Sequence, residues 1–398
     1  MDGDGLAVMI IGDAFSVHVQ ARARAMARCG YRVTLVSDHE AESEGLAVVA
    51  PHGRWPLARL VSHYRLIRSV AADLVHIHYA ASMGAWLFLA SGRRLPLVVT
   101  AMGGDVLDDE QHPLPRLAGW LTRQVLRRAD RVTVKSTYLE ARVAQAGVAP
   151  DRIVRVVWGV DTDLFRPVDG AAFRTRLGIA DGEKVILSPR MLRPFYNIHL
   201  LIEAMPAIQS RIGTVRLLIT GYGADPDYEA RLRRRVFELG LDSAVIWVGA
   251  LDQSDMPMAY GAADVTVSLP PSDGFPQSVL ESLACGVPCV ATQLDRFTEF
   301  LTEGETVIFT ELTPQAVAAA VSRVLSDPVL ASRLSGNGIG LVRERAAMRD
   351  DVARVDGLYR EMAGAEITNR APRFRAGLVL LGLALRQSLV KAVRSCAG

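Results

Sequence analysis

Cysteine is scarce in this chain of 398 residues. The four cysteines are Cys29, Cys285, Cys289 and Cys396. They have no Cys-x-x-Cys spacing, and no histidines cluster beside them in the sequence, so the pattern indicates neither a zinc site nor a disulfide framework. We therefore expect a reducing, cytoplasmic environment for the protein.

The sequence also lacks an apolar run of the roughly 18 to 20 residues that a membrane-spanning helix needs. The apolar segment 376–385 is flanked by arginines, and segment 114–131 combines an apolar stripe with an arginine stripe. Both segments fit either packing on the protein or peripheral attachment to the inner face of a membrane. Acidic Asp2 and Asp4 stand where a signal peptide carries positive charge, so residues 6–11 are interpreted as the first strand.

A large net charge is absent as well, because 45 Lys and Arg against 43 Asp and Glu give a formal net charge of only +2. No basic run is interleaved with aromatic residues, which argues against nucleic acid as a partner. Lysine occurs only at Lys135, Lys184 and Lys391, so arginine supplies most of the positive charge. Arginine binds phosphate through two parallel hydrogen bonds, so this composition is compatible with a phosphate site.

A chain of this length exceeds what one hydrophobic core supports, and half of its residues are apolar, so we predict two domains. Short β-branched runs alternate with helical patterns, which predicts parallel sheets covered by helices on both faces. The predicted strands are residues 6–11, 32–36, 74–78, 97–101 and 131–135, and then 185–188, 215–220, 245–248, 265–269 and 289–291. The predicted helices include residues 18–29, 82–90, 114–128, 198–209 and 277–285.

A stretch that contains glycine and proline, residues 158–167, is the predicted linker between the two domains. We place the boundary near Pro167. The predicted α/β domains then cover residues 1–167 and 168–345, and residues 346–398 form a C-terminal helix and a basic apolar tail.

Residues 265–292 are the most informative stretch, since they predict a strand, a loop, a helix and a second strand. Gly286 stands where the end of a helix favours a left-handed residue. Asp273 and Glu281 are eight positions apart, about 80 degrees more than two helical turns, so they share a face only if Asp273 lies in the loop. A loop that joins a parallel strand to a helix N-terminus is a typical anion site in α/β sheets.

The segment Ser-Asp-Gly-Phe-Pro-Gln-Ser-Val-Leu-Glu, followed by Ala-Cys-Gly-Val-Pro, resembles the signature of family 4 of the retaining GT-B glycosyltransferases. The resemblance implies two Rossmann-like domains and a C-terminal helix that crosses back to the first domain. In the family, this loop lies against the sugar and α-phosphate of a nucleotide-sugar donor, and the second acid holds the ribose hydroxyls. Those roles fall to catalytic Asp273, to Gly274, Phe275 and Pro276, and to Glu281. The family usually has Glu where this chain has Asp273.

Further donor-binding residues follow from the same resemblance. Arg190 matches an arginine that neutralises the donor diphosphate. The lysine expected about five residues later is missing, so Arg193 either replaces it or is a solvated loop charge. Gly221, Gly223 and Gly249 follow two strands and would approach the phosphates and the base, although such glycines also form ordinary turns.

The first domain would hold the acceptor. Gly12, Ser16 and His18 follow the first strand, where a phosphate or sugar contact is expected, with His18 as a catalytic candidate. An ordinary strand-to-helix turn is the alternative. His78 ends a strand and is an acceptor-side candidate, although histidines near a sheet edge are more often packing residues.

Asp105 is the remaining catalytic candidate, as a carboxylate that orients or deprotonates the acceptor. An ordinary loop cap is the alternative, because Asp after Gly-Gly is common turn chemistry. Met102 stands where many family members have a histidine that touches the donor sugar, so the usual candidate is missing.

The resemblance implies that the chain transfers a hexose-type sugar with retention of configuration, without a metal or other cofactor. The acceptor would be a glycan, a lipid-linked precursor or a small molecule. A nucleotide-sugar epimerase of the same fold is one alternative, and a catalytically silent partner subunit is another. The Asp-x-Asp tripeptides at residues 161–163 and 225–227 are interpreted as chance turns rather than metal ligands.

Overall fold

The computed structural model describes residues 5–43, 45–106, 116–221, 223–273 and 277–364. The chain divides into two compact units. Unit 1 consists of Met1–Val156 and Val352–Gly398, and unit 2 consists of Val157–Asp351.

Unit 2 begins before Pro167 because the predicted linker packs inside this unit. Val160 and Phe165 belong to one of its apolar clusters, and the carbonyl of Trp158 accepts a hydrogen bond from Gln277 Nε2. The N–H of Val160 donates to the carbonyl of Ala346 at 2.8 Å. This bond explains why unit 2 also continues past the predicted end at residue 345.

Unit 1 is built on a parallel sheet. Its strands within the described residues are β1 Ala7–Ile11, β2 Arg32–Val36, β3 Ala47–Val49, β4 Leu74–His78, β5 Leu97–Thr100, β6 Arg131–Val134 and β7 Ile153–Arg155. The strand order is β3-β2-β1-β4-β5-β6-β7. The helices of this unit are α1 Val17–Arg28, α2 Pro56–Ser69, α3 Met83–Ser91, α4 Arg116–Arg128 and α5 Thr137–Gln145. Strands β1, β4 and β5 are buried throughout. The nearly continuous apolar sequences of β1 and β5 are typical of such strands, whereas β4 also buries His76 and His78.

Unit 2 repeats this architecture. Its strands within the described residues are β8 Lys184–Ser188, β9 Val215–Thr220, β10 Val245–Gly249, β11 Val265–Ser268, β12 Cys289–Thr292 and β13 Ile308–Thr310. They form a parallel sheet in the order β10-β9-β8-β11-β12-β13. The helices are α6 Ala171–Arg176, α7 Ile198–Ile212, α8 Pro226–Glu238, α9 Met256–Gly261, α10 Gln277–Ala284, α11 Asp295–Thr298, α12 Pro314–Ser326 and α13 Pro328–Arg345.

The predicted fold class, two doubly wound parallel sheets, is confirmed. Each predicted strand is present with small shifts at its ends, and the predicted helix 198–209 continues to Ile212. Three strands of the sheet edges, β3, β7 and β13, were not predicted.

The last described helix, α14 Met348–Ala363, begins in unit 2 and continues into unit 1, so the predicted crossing helix is present. Within unit 1, Tyr359 Oη lies 2.6 Å from His76 Nδ1. Tyr31 Oη donates to Asp356 Oδ1 at 2.7 Å. These bonds fix the second half of α14 to the rest of unit 1.

The two segments with predicted membrane affinity have different outcomes. Segment 376–385 lies outside the described residues. Helix α4 buries Leu121 and Val125 in the core of unit 1 and leaves Leu117 and Trp120 partly exposed. Among the described helices, none has both the length and the apolar character that crossing a membrane requires.

Candidate active site

The strand order of unit 2 reverses between β8 and β11, which are neighbours in the sheet although they are distant in sequence. The loops that leave two such strands diverge, and the crevice between them is the usual ligand site of an open α/β sheet. Arg190 lies in the loop after β8 and Asp273 in the loop after β11. The topology therefore brings together two residues that are 83 positions apart.

Arg190 forms an ion pair with Asp273, with 2.7 Å between Nη2 and Oδ2. Its Nη1 donates to Ser278 Oγ at 2.9 Å, and its guanidinium lies 4.3 Å from the ring centre of Tyr196. Burial works against the charged form, but the carboxylate of Asp273 outweighs it and raises the pKa of Arg190. The site therefore contains a fixed positive charge with a defined orientation.

Glu281 lies on α10 and is only 8% exposed. Its Oε2 accepts a hydrogen bond from Tyr260 Oη at 2.9 Å. Burial raises the pKa of Glu281 to about 7, and this rise is opposed by the Tyr260 hydrogen bond and by the positive charge of Arg190. The carboxyl group therefore titrates near neutral pH.

The structure brings Asp273, Arg190 and Glu281 into one electrostatic cluster. Asp273 lies in the loop before α10, as the helical spacing requires if both acids are to face one site. The predicted donor residues Gly274, Phe275 and Pro276 lie outside the described residues.

Glycines allow two chain segments of unit 2 to approach closely at the carboxyl ends of β9 and β10. The N–H of Gly221 donates to the carbonyl of Gly249 at 2.7 Å, and a Cβ on Gly221 would approach Gly249 to 3.0 Å. Gly223 has a φ of +60° and accepts a hydrogen bond from Arg193 Nε at 3.1 Å. Arg193 is exposed, and this hydrogen bond attaches its side chain to the loop after β9.

In unit 1, the segment after β1 forms a tight turn into α1. A Cβ on Gly12 would lie 3.0 Å from Val19 Cγ1, so glycine permits the close approach of this helix. Ser16 caps α1 by accepting a hydrogen bond from the N–H of Val19, and His18 lies in the first turn, half-buried. The ordinary strand-to-helix turn therefore accounts for Gly12 and Ser16, while a contact with a ligand stays a prediction.

Asp105 is buried and accepts three backbone hydrogen bonds. Its Oδ2 accepts from Ala80 at 2.8 Å, and its Oδ1 accepts from Met102 and Gly103 at 3.0 Å each. Burial raises the pKa of Asp105, and these backbone donors oppose the rise. Asp105 thus links the loops after β4 and β5 through backbone hydrogen bonds. This arrangement corresponds to the loop cap that the sequence analysis gave as the alternative to a catalytic role.

His78 lies in the interior of unit 1, with its ring centre 4.3 Å from that of His76. His76 Nε2 lies 2.7 Å from Thr100 Oγ1. Burial lowers the pKa of His76 to about 3 and that of His78 well below its ordinary value. Both rings are therefore neutral at physiological pH, and His78 is placed as a core residue rather than on the surface.

Three residues that contact this electrostatic cluster were not identified from the sequence as site residues: Tyr196, Tyr260 and Ser278. Ser278 precedes Glu281 by three positions on α10, and this spacing places both on one helical face. That signal could have identified Ser278. Tyr260 follows no motif and is brought to Glu281 by the packing of α9.

The two Asp-x-Asp tripeptides are local turns. Asp161 Oδ1 accepts from the N–H groups of Asp163 and Leu164, and Asp225 caps α8. Among the residues that the structure describes, no three His, Cys, Asp or Glu side chains are grouped so that they could hold a metal ion.

Comparison with known proteins agrees with the division into two α/β units. Residues 15–164 match the model described as Glycosyltransferase Family 4, and residues 170–340 match the one described as Glycosyl transferases group 1. A D-inositol 3-phosphate glycosyltransferase from Acidothermus cellulolyticus is 31% identical over 308 residues, 73% of this chain and 67% of that protein. The chain belongs to glycosyltransferase family 4.

Solved structures confirm the GT-B fold of this family 4 glycosyltransferase. A sucrose-phosphate synthase from Thermosynechococcus elongatus has a TM-score of 0.77 at 21% identity, covering 91% of this chain and all of that one. HepE from Anabaena, solved in complex with UDP and glucose, also has a TM-score of 0.77 at 17% identity, covering 89% and 100%.

Proposed function

We propose that this glycosyltransferase moves a hexose-type sugar from a nucleotide-diphosphate sugar to an acceptor and retains the anomeric configuration. The observation that carries the proposal is Arg190, held between Asp273 and Ser278 and close to Glu281 at the switch point of unit 2. A fixed cation beside two carboxylates suits a ligand that has both phosphates and hydroxyl groups. HepE, a structural neighbour, has been solved with UDP and glucose.

In this proposal Arg190 binds the diphosphate and stabilises the charge that grows on the leaving oxygen. Glu281 accepts hydrogen bonds from the ribose hydroxyls, and Asp273 faces the sugar. Arg190 already neutralises Asp273, so both groups are oriented before the donor binds. Arg193 and the glycine loops at Gly221 and Gly249 supply further contacts to the phosphates and the base.

We assign the acceptor to unit 1. The residues Gly12, Ser16 and His18, which follow β1, would contact it, and His78 and Asp105 are the buried candidates of the same unit. The acceptor class is a glycan, a lipid-linked or glycoconjugate precursor, or a small phosphorylated polyol. The last option takes its support from the D-inositol 3-phosphate glycosyltransferases among the relatives.

We also propose peripheral contact with an anionic membrane, through the outer face of α2. Trp55, which caps the start of α2, is 76% exposed and Leu57 is 59% exposed, and neighbouring exposed apolar side chains can mark an interaction surface. Exposed Arg54, Arg65 and Arg68 accompany them, and the sequence of α2 has no acidic residue. Aromatic and arginine side chains together suit the interface of an anionic bilayer.

The donor proposal is tested with a thermal-shift panel of UDP, GDP, ADP and dTDP, because a ligand that binds only the folded state raises the melting temperature. The sugar diphosphates of the best nucleotide are then assayed for hydrolysis and transfer, with D-inositol 3-phosphate among the acceptors. We expect activity to survive EDTA, since arginine meets the phosphate charge. Stabilisation without transfer or hydrolysis would favour the silent-partner alternative, and conversion of the sugar without an acceptor would favour the epimerase.

A further inference from the structure

Tyr260 is fully buried, yet its hydroxyl group points at a residue of the donor site. Its Oη lies 2.9 Å from Glu281 Oε2 and 3.2 Å from the carbonyl oxygen of Ser278. The ring packs edge-on against Phe165, with 6.1 Å between ring centres. The phenol is therefore fixed by packing on one side and by α10 on the other.

The charge of Glu281 depends on few neighbours. Burial disfavours its ionised form, and the groups that favour ionisation are the Tyr260 hydroxyl and the Arg190 guanidinium. Arg190 is also engaged by Asp273 and Ser278. Cys285, which directly follows α10, also interacts electrostatically with Glu281, and its pKa is raised to about 12, mainly by burial. The thiol is thus neutral at physiological pH. The Tyr260 hydroxyl and the Arg190 guanidinium are therefore the neighbours that favour the ionised form of Glu281.

We propose that Tyr260 is a positioning residue for donor binding, whose hydroxyl donates a hydrogen bond that orients the Glu281 carboxylate so that it accepts hydrogen bonds from ribose. This inference rests on the proposed role of Glu281 and adds a residue that has no contact with the donor. A purely structural role for Tyr260 would affect stability but not the recognition of ribose.

The experiment measures by calorimetry, from pH 6 to 8, the affinity of the protein for UDP and for 2′,3′-dideoxy-UDP. The same pair with guanine or adenine is used if the panel selects GDP or ADP. In the wild-type chain, UDP affinity should rise with pH through about 7 as Glu281 ionises, and the dideoxy analogue should bind more weakly. Tyr260→Phe should lower UDP affinity about tenfold at pH 7, the effect of a lost hydrogen bond to a charged group. The same variant should move the midpoint of the rise in UDP affinity to higher pH. Its affinity for the dideoxy analogue should stay within about twofold of the wild-type value.

Tyr228→Phe is the matched control, because Tyr228 is another buried tyrosine of unit 2 whose hydroxyl contacts His199 and not the site. It should leave both affinities and the pH midpoint unchanged. As a second variant that preserves packing, 3-fluorotyrosine at position 260 makes the phenol a stronger hydrogen-bond donor. This replacement should move the midpoint to lower pH.

Glu281→Ala, which removes both acceptor oxygens of the side chain, separates this inference from the proposed function. If this variant still prefers UDP over the dideoxy analogue as the wild type does, the donor-site assignment itself is wrong. If it loses the preference while Tyr260→Phe and fluorotyrosine leave the preference and the midpoint unchanged, the donor site stands and the role of Tyr260 is overturned.

Discussion

Arg190 shows how a single side chain can organise a site. It contacts Asp273 from one loop, Ser278 from α10 and Tyr196 from its own loop, so three chain segments depend on one guanidinium. Such a group is oriented before any ligand arrives, and this preorganisation is the main source of electrostatic catalysis.

The first residue-scale prediction compares Arg190 with Arg193. Because the charge on the leaving oxygen grows in the transition state, Arg190→Ala should lower kcat more than it raises KM. The expected loss is about a hundredfold to a thousandfold in rate. Arg193→Ala should match it only if Arg193 replaces the missing lysine; as a solvated charge it would change the rate by a few-fold. Steady-state kinetics on both variants measures these effects, and an Arg190→Ala rate near that of the wild type would contradict the proposed binding of the diphosphate by Arg190.

The second residue-scale prediction concerns stability. The pKa of Glu281 is raised from 4.5 to about 7 in the folded chain. Its contribution to stability is therefore fully present below pH 4.5 and is lost as the pH rises through about 7. The difference in free energy of unfolding between wild type and Glu281→Gln should fall by about 3 kcal/mol over that interval. Urea unfolding at several pH values measures it, and parallel curves for the two proteins would contradict it.

The sequence located the residues whose position follows from topology. Asp273 and Arg190 each follow a recognisable buried strand, so their place at the sheet edge could be predicted. The hydrogen bond from Tyr260 could not, because α9 and α10 meet through packing that leaves no local pattern. The burial of His78 could not be predicted either. Its position at the end of a strand was clear from the sequence, but the sequence did not show that other parts of unit 1 would pack over it.

At the scale of elements, prediction succeeded where burial dominates. Strand β1, in the middle of its sheet, is apolar on both faces, whereas the buried β11 alternates valine with threonine and serine, and both patterns are visible in the sequence. The edge strands β3, β7 and β13 have three residues each and carry too short a pattern to recognise. They are strands because a neighbouring strand offers its backbone hydrogen bonds.

Helix α2 supports the element-scale prediction. Replacing both Trp55 and Leu57 by serine should abolish sedimentation with vesicles that contain anionic phospholipid, because the apolar contact with the bilayer is lost. High salt should weaken wild-type binding, since the arginines act electrostatically. Phe237→Ser is the control, because Phe237 is 74% exposed on α8 of unit 2. Equal binding by the double variant and the control would exclude α2 as the contact surface.

At the scale of the whole molecule, the alternation of strand and helix patterns sufficed to predict two doubly wound domains. The boundaries were harder to place, because a stretch with glycine and proline resembles a linker whether or not it is packed. Trp158 and Phe165 lie in such a stretch and are nevertheless buried in unit 2. Local composition does not reveal which core a buried residue joins.

The return of the chain to unit 1 through α14 has a consequence for protein synthesis. All of unit 2, Val157–Asp351, must be translated before Tyr359 can reach His76. At roughly 5–20 residues per second, this interval lasts on the order of 10 to 40 s. During that time the nascent sheet of unit 1 lacks α14 while unit 2 is already being made. The half of the protein that the ribosome begins first therefore receives this helix only after the other half has been synthesised.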